Sequence, residues 1–240
     1  PANEFYHLEG RQFSKSNNWF IDIESFLKTF SVDQIRYAIA ANSPESQDSE
    51  FSWKDFQMRC NSELLSKYGN LVNRVLVFAA KNCFKKVPPL GKLEAIDIEF
   101  LQKVKEIAKE CEDAYATFSV RKASQQIMEL ASISNTYFDA KKPWKGVKDD
   151  SLKEGMMTTI ASCFEALKIL ALISSPIIPK TSEMLWKLLG FSTSLAEENW
   201  HAILNEKAVE GRELPAPSIL FQRIEDETIE DQINLLKEVR

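Results

Sequence analysis

The chain has 240 residues, of which 44% are hydrophobic and 27% are charged, and this balance excludes a disordered chain. It contains only 7 Gly and 9 Pro, too few for the many tight turns of a mostly β protein, so the composition favours helix. The formal net charge of −5 argues against a strongly basic nucleic-acid-binding protein. The negative charge is concentrated after residue 196, where the chain has 5 Lys and Arg but 11 Asp and Glu. The rest of the chain is therefore nearly neutral.

The cysteines and histidines are too scattered to predict a metal site. The four Cys form no C-x-x-C pair, and the chain has only two His. We therefore expect free thiols in a reducing, cytoplasmic compartment. The most apolar stretch, 160–178, is interrupted by polar residues and a Pro, so we expect no membrane span. No secretory signal is present, and a start at Pro1 suggests a fragment of a longer chain.

The first fifty residues predict short elements. Residues 1–20 are typical of an extended segment that leads into an exposed loop. Two short amphipathic helices follow over 23–30 and 32–41, and the second opens with Ser31 and Gln34 at the spacing of a capping box. Residues 42–50 contain Pro44 and little that is apolar, which indicates a surface loop.

The rest of the chain predicts long helices. A helical period runs over 52–84, with Gly69 as its only interior breaker. Ser151 and Glu154 predict a capping box at the start of a later helix. The remaining predicted helices cover 96–116, 120–140, 152–172, 181–189 and an acidic stretch from about 227. The predicted fold class is therefore mainly α, an up-and-down helical bundle preceded by a short segment.

Three groups of residues carry chemistry, and the first is the loop triplet Ser14, Lys15 and Ser16. An ammonium between two hydroxyls suits the charge that develops on a triphosphate as its phosphates part. Taken alone, three common polar residues in a row are most often a solvated turn.

The second group is Asn70 and Arg74, four residues apart on one face of the long predicted helix. Asn70 is able to read a base edge, and Arg74 offers a planar fork to a base or a phosphate. We expect Gly69 to leave room beside them for a bulky ligand. The alternative, an Asn–Arg pair that is simply exposed to solvent on a helix face, is the commoner case.

The third group is Trp144 within a cluster of lysines that contains no acid between 140 and 148: Lys141, Lys142, Lys145 and Lys148. Exposed aromatic faces paired with cations bind single-stranded nucleic acid. The alternative is a Trp that packs into the bundle after the helix-ending Pro143. Tyr137 and Phe138 are assigned to the core.

In their order and spacing these pieces resemble the carboxy-terminal part of methionyl-tRNA synthetases, which are class I aminoacyl-tRNA synthetases. Residues 12–16 look like the class I KMSKS loop, and 33–37 are similar to the D-x-[LI]-R-Y helix of that family. Residues 51–56, and then 61–64 through 69–74, are similar to the pattern F-x-x-x-N-x-[DE]-L…GN-L-x-N-R of that family. About seventy residues later, 135–137 and 143–144 match its N-x-Y…PW element.

The resemblance implies a division of the chain into three parts. Residues 1–50 would be the end of the catalytic region with its stem-contact helices, and 51–196 a helical-bundle anticodon-binding domain. Residues 197–240 would be an acidic extension that packs back or leads to an appended domain. Lys15, with Ser14 and Ser16, would stabilise the transition state of methionine adenylation and contact ATP.

The resemblance also assigns the RNA contacts and the small molecules. Asn70, Arg74 and Trp144 would read the CAU anticodon of tRNA(Met), with Trp144 stacking on a base. ATP with Mg and methionine would be used by the intact enzyme, while this fragment alone would be inactive. The HIGH motif, the ATP-binding sheet and a zinc-bearing insertion would lie upstream, so we expect no metal site and no bound cofactor here.

One departure and two alternatives accompany this interpretation. Gln12 and Phe13 stand where the first Lys and the Met of KMSKS are expected. Class I synthetases for Leu, Ile, Val or Cys share a KMSKS loop and a helical anticodon domain, but the paired GN-L-x-N-R and PW elements favour methionine. A non-enzymatic helical interaction module would instead use the acidic tail as its docking surface.

Overall fold

The computed structural model describes residues 3–205 and 209–238, and it is a helical bundle with a small sheet at the amino end. Strand β1 (Tyr6–Leu8) pairs antiparallel with β2 (Arg11–Gln12) and parallel with β3 (Ser49–Phe51). The expected loop at 42–50 therefore ends in a strand, because its last residues pair with β1. The mainly α fold class is confirmed.

Two short helices connect this sheet to the bundle. α1 (Ile23–Thr29) and α2 (Val32–Ala41) lie where the sequence predicts them, and the capping box of Ser31 and Gln34 is present. An aromatic cluster packs α1 against the sheet and against the helix that begins at Trp53. Its rings lie 4.8–5.9 Å from one another and come from Phe26, Phe30, Phe51, Trp53 and Phe56.

The long predicted helix is continuous but not uniform. It starts as α3 (Trp53–Met58), continues as a π-helix (Arg59–Gly69) and returns to α-helix as α4 (Asn70–Asn82). The Asn70 N–H donates to the carbonyl of Leu65, five residues back, which is the π pattern. The helical period in the sequence predicts the element but not this wider turn.

The bundle proper is built around one central helix. α5 (Ala95–Ala116) and α6 (Val120–Lys141) form an antiparallel pair that packs on α7 (Lys153–Ser174). By length and composition the segment Asp150–Ser174 suffices to cross a membrane, but 89% of its most apolar window is buried inside the protein. α7 is thus the core of the bundle.

The predicted capping box of α7 is wrong. Ser151 lies in a short 3₁₀ turn, where its N–H donates to the carboxylate of Asp149. α7 begins at Lys153, with Leu152 at the N-cap position and no side-chain cap. The Asp149 carboxylate captures the Ser151 N–H, so the turn forms before the predicted helix start.

Two side chains of α2 tie the amino-terminal segment to the bundle. The buried Asp33 carboxylate accepts from the Thr181 N–H at 2.6 Å, at the start of α8 (Pro179–Leu188). Arg36 donates to the carbonyls of Pro176 and Ile177, each at 2.8 Å. These bonds satisfy backbone groups at the α7–α8 turn, so the two parts of the chain share hydrogen bonds as well as apolar contacts.

The acidic tail packs back on the bundle. After α9 (Trp200–Asn205) the chain returns along Val87, whose N–H donates to Arg212 O, and it ends in α10 (Asp226–Glu238). The side chain of Asn61 on the π-helix makes two hydrogen bonds to the backbone of Ile224, at 2.8 and 2.9 Å. Part of the tail's apolar surface is therefore buried against its own bundle.

Candidate nucleic-acid interface

The loop triplet lies in a tight turn beside the small sheet. Ser14 and Trp19 close the turn with two backbone hydrogen bonds, of 2.9 and 2.7 Å, and the indole N–H of Trp19 donates to Leu8 O. The Ser14 and Ser16 hydroxyls lie 3.2 Å apart. Lys15 is exposed at the tip, so its ammonium is presented to solvent by a turn that is itself anchored to β1.

The second group lies in an open groove between α4 and α6. This cavity has a volume of about 860 Å³. We call it the polar groove, and its polar lining comes from the π-helix, α4 and α6: Ser66, Lys67, Asn70, Asn73, Arg74, Lys81, Asn82, Ser132, Asn135, Thr136 and Asp139. Asn70 and Arg74 both line it, as their spacing predicts. At one end of the groove the Asn135 amide on α6 donates to Lys67 O on the π-helix at 3.2 Å.

Arg74 is held between an acid and a ring. Its guanidinium donates to the carboxylate of Asp139, and it lies 4.4 Å from the ring centre of Phe138. The Arg74 hydrogen bond holds the pKa of Asp139 below its usual range, so this carboxylate is ionised at neutral pH. The family resemblance assigns Asp139 no role, although the polar stripe 132, 135, 136 and 139 on α6 indicates that it faces α4.

Trp144 lies next to the same buried ring. The helix α6 ends at Lys141, its C-cap residue Lys142 adopts a left-handed conformation (φ 49°), and Pro143 then starts a 3₁₀ turn that carries Trp144. The indole ring is 6.1 Å from that of Phe138, yet 42% of the residue is exposed. Phe138 is buried, as predicted, and it contacts both Arg74 and Trp144.

The lysine cluster is smaller than the sequence indicates. Lys141 is not exposed: its ammonium pairs with Asp97 at 3.0 Å and with Glu94 at 2.7 Å, and only 9% of its side chain is accessible. Lys142, Lys145 and Lys148 are not buried in this way. The expectation that Lys141 is one of the exposed cations around Trp144 is therefore wrong, because it is ion-paired with the buried carboxylate of Asp97 on α5.

The space beside Gly69 is also filled. A Cβ at Gly69 would lie 3.4 Å from the ring of Phe221 and 3.2 Å from Leu64 O. Phe221 belongs to the tail, and its ring packs edge-on against Tyr68 at 6.0 Å. The expected room for a ligand at Gly69 is therefore absent, because the tail segment uses the small residue for its own packing.

Thiol and metal chemistry find little support in this geometry. All four cysteines are free and buried. Burial raises the pKa of Cys83 to about 11 and that of Cys111 to about 12, so neither is a ready nucleophile. Among residues 3–205 and 209–238, no group of three or more His, Cys, Asp and Glu side chains is arranged to hold a metal ion.

Comparisons with known families identify this arrangement. Residues 1–76 match the family described as tRNA synthetases class I (M), so the loop and the small sheet belong to a class I tRNA synthetase. Residues 87–237 match the anticodon binding domain of methionyl tRNA ligase. The chain therefore belongs to the methionyl-tRNA ligase family, which favours neither a synthetase for Leu, Ile, Val or Cys nor a free-standing interaction module.

Individual relatives agree with this family. The chain is 54% identical to the methionine–tRNA ligase of Protochlamydia amoebophila over 239 residues, covering 100% of this chain and 34% of the relative. It is 39% identical to that of Chlamydia pneumoniae, covering 93% and 42%. The chain thus spans less than half the length of these curated relatives.

Solved structures share the fold. The methionyl-tRNA synthetase of Mycobacterium tuberculosis in complex with methionyl-adenylate superposes with a TM-score of 0.81 at 26% identity, covering 92% of this chain and 43% of that one. The apo form of the synthetase from that organism gives 0.81 at 24% identity, with 93% and 43% covered.

The buried pair of Lys141 and Asp97 should contribute to the stability of the fold. Burial opposes the charge of Asp97, but hydrogen bonds from Tyr137, the Glu94 backbone and Lys141 outweigh it and hold the pKa of Asp97 below its usual range. Replacing Lys141 with Met leaves a buried carboxylate without its cation, so the free energy of unfolding should fall by about 3 kcal/mol at pH 7. Chemical denaturation of the chain measures this difference.

The pH dependence and a neighbouring residue provide the controls. A carboxyl whose pKa is lowered on folding stabilises above its ordinary pKa, and that stability is lost as pH falls through the folded value. The difference between wild type and Lys141→Met should therefore shrink as the solution becomes acidic. Lys142→Met, one residue away, should leave stability nearly unchanged. Equal stability for both variants at pH 7 would contradict the buried pair.

Proposed function

We propose that this chain is the tRNA-binding part of a methionine–tRNA ligase, which joins methionine to tRNA(Met) with ATP through methionyl-adenylate. The observation that carries the proposal is the placement of Arg74 and Trp144 around the ring of Phe138, together with the lining of the polar groove by Arg74 and Asn70. An amide, a guanidinium and a half-exposed indole are the groups that read unstacked bases of single-stranded RNA.

The three parts of the chain divide this task. Residues 1–50 are proposed to belong to the catalytic region and its stem-contact helices, and 51–196 to form the anticodon-binding bundle. Residues 197–240 are proposed to be an extension that packs back, in keeping with the hydrogen bonds between Asn61 and Ile224. The bonds of Asp33 and Arg36 to the α7–α8 turn would hold the first two parts in a fixed relation.

The anticodon is proposed to be read by three side chains with different chemistry. Asn70 presents a donor and an acceptor to the edge of a base. The exposed face of Trp144 stacks on a base that has left the loop stack. Arg74 has five N–H donors, and Asp139 occupies only some of them, so the pair keeps the guanidinium in place before RNA arrives.

Lys15 is proposed to serve adenylation in the intact enzyme. Methionine attacks the α-phosphate of ATP, and negative charge grows on the departing pyrophosphate. An ammonium at the tip of a short turn is able to follow that charge, while Ser14 and Ser16 support the turn and offer hydroxyl donors. ATP enters with Mg as a substrate, and any zinc is proposed to lie outside residues 1–240.

The remaining partners follow from the family. The partners are proposed to be tRNA(Met), methionine and ATP, with a cytoplasmic location and no membrane partner. The 240 residues alone are proposed to be inactive in adenylation, because a loop lysine without an ATP-binding fold has no aligned reactants.

Trp144→Ala tests the anticodon assignment. Loss of base stacking should weaken binding of tRNA with a CAU anticodon by about 1–3 kcal/mol, roughly 5- to 150-fold. The thermal midpoint of the protein should fall little, because 42% of Trp144 is already exposed. Binding and thermal unfolding are measured on the same preparation.

Phe118 provides a matched control. It is an exposed aromatic residue, 64% accessible, and it lies just before α6 begins, at the end of the helix far from Trp144. Phe118→Ala should leave RNA binding unchanged. If Trp144→Ala lowers stability strongly while the preference for CAU is kept, then Trp144 is a core residue and the anticodon assignment is lost.

Lys15→Ala tests the proposed role of the loop. In the intact enzyme the rate of methionine-dependent ATP–pyrophosphate exchange should fall by about 100-fold, because the contact strengthens as charge develops on the phosphates. The KM for methionine should change little. Lys28→Ala, which removes an exposed lysine from α1, should leave the exchange rate unaltered. An unchanged rate in Lys15→Ala would remove this lysine from the mechanism.

A further inference from the structure

The polar groove does not end at the residues proposed to read the anticodon. A second cavity of about 320 Å³ lies between α2, the π-helix and α6. The two cavities share Lys67 and Ser132 in their linings, so they form one continuous channel along the surface. The lining of the second cavity is mostly polar and includes Tyr37, Arg59, Glu63, Arg121, Gln125 and Glu129.

The channel follows one face of α6. Its α6 lining runs from Arg121 to Asp139 in steps of three or four residues, which is a single helical stripe. At 1.5 Å per residue this stripe is about 27 Å long. That length exceeds what one base needs and suits several successive nucleotides of a strand. The end at Arg121 lies beside α2, in the segment proposed to face the stem of the tRNA.

Half of the charged side chains that line the channel are already paired with one another. Arg59 pairs with Asp55 at 2.6 Å and Glu63 at 3.7 Å, and the Tyr37 hydroxyl also donates to Glu63 at 2.8 Å. Arg74 pairs with Asp139. The charges of these pairs cancel one another, so they supply little net field to a ligand. The Tyr37–Glu63 and Arg74–Asp139 contacts also join neighbouring helices.

Among the residues that the structure describes, three cations that line the channel have no such partner: Lys67, Lys81 and Arg121. Lys81 lies at the carboxyl end of α4, whereas Lys67 and Arg121 line the part of the channel beside α2. Within the described residues, neither the Lys67 ammonium nor the Arg121 guanidinium takes part in an ion pair or a side-chain hydrogen bond. Their backbones are nevertheless fixed: Lys67 O accepts from Asn135 at 3.2 Å, and the Arg121 N–H donates to Glu45 at 2.8 Å. Glu129 is the opposing acid in this stretch, so the unpaired charges favour an anion.

We propose that this channel binds the ribose–phosphate backbone of the tRNA strand that leads from the anticodon toward the stem. Lys67 and Arg121 each contact a phosphate, while Gln125 and Ser132 offer hydrogen bonds to phosphate or ribose oxygens. The inference rests on the proposed function, because it needs RNA at Asn70 and Arg74. Backbone contacts of this kind add affinity without reading sequence, since every nucleotide carries the same phosphate.

Salt dependence of tRNA binding tests the proposal. In the intact enzyme, Lys67→Gln and Arg121→Gln should each weaken binding about 3- to 10-fold at low salt and lower the slope of log affinity against log salt by about 0.7–0.9. The double variant should lower the slope by nearly twice that amount. The ratio of affinities for CAU and anticodon-swapped tRNA should stay at the wild-type value in all three variants.

Lys122→Gln is the matched control, because Lys122 is an exposed cation beside Arg121 that does not line the channel. It should change neither the affinity nor the slope. An unchanged slope in Lys67→Gln and Arg121→Gln would overturn the channel, and so would a change in anticodon preference, which would make these residues base readers.

The Trp144→Ala variant separates this inference from the function on which it rests. If Trp144→Ala weakens CAU binding while both channel variants bind like wild type, then only the channel proposal fails. If none of the three variants alters tRNA binding, the anticodon assignment fails together with the channel.

Discussion

The candidate interface depends on one buried aromatic ring. Phe138 is only 2% exposed, and it lies 4.4 Å from the Arg74 guanidinium and 6.1 Å from the Trp144 indole. The ring comes from the last turn of α6, where that helix faces α4, so it brings together side chains seventy residues apart in sequence. A cation against an aromatic face is stabilised electrostatically, and this holds Arg74 ready without the entropy loss of ordering it on binding.

The packing of α6 against the π-helix and α4 has a second consequence. Both walls of the interface are helical, so polar residues recur along them and the surface between them is a channel. Tertiary hydrogen bonds, such as that of Asn135 to Lys67 O, keep the walls at a fixed distance. Recognition groups on rigid helices are better pre-organised than the same groups on loops.

The sequence predicts the helices and the main contacts well, because helical period, caps and breakers act locally. It places Asn70 and Arg74 on one face and Trp144 after α6, and the structure agrees. It does not predict that Lys141 pairs with the buried Asp97, or that Phe221 fills the space at Gly69. Those outcomes depend on side chains from distant segments, which no local pattern contains. The π-helix is missed because its wider turn keeps the same apolar residues buried.

The central claim is that Arg74 and Trp144 act as one unit around Phe138. A double-mutant cycle measures this directly, using Arg74→Gln, Trp144→Phe and the combined variant, with the affinity for CAU tRNA as the readout. We expect the two losses to be non-additive by about 0.5–3 kcal/mol for CAU tRNA. The coupling should be smaller for anticodon-swapped tRNA. Additive losses that are equal for both RNAs would contradict a shared recognition unit.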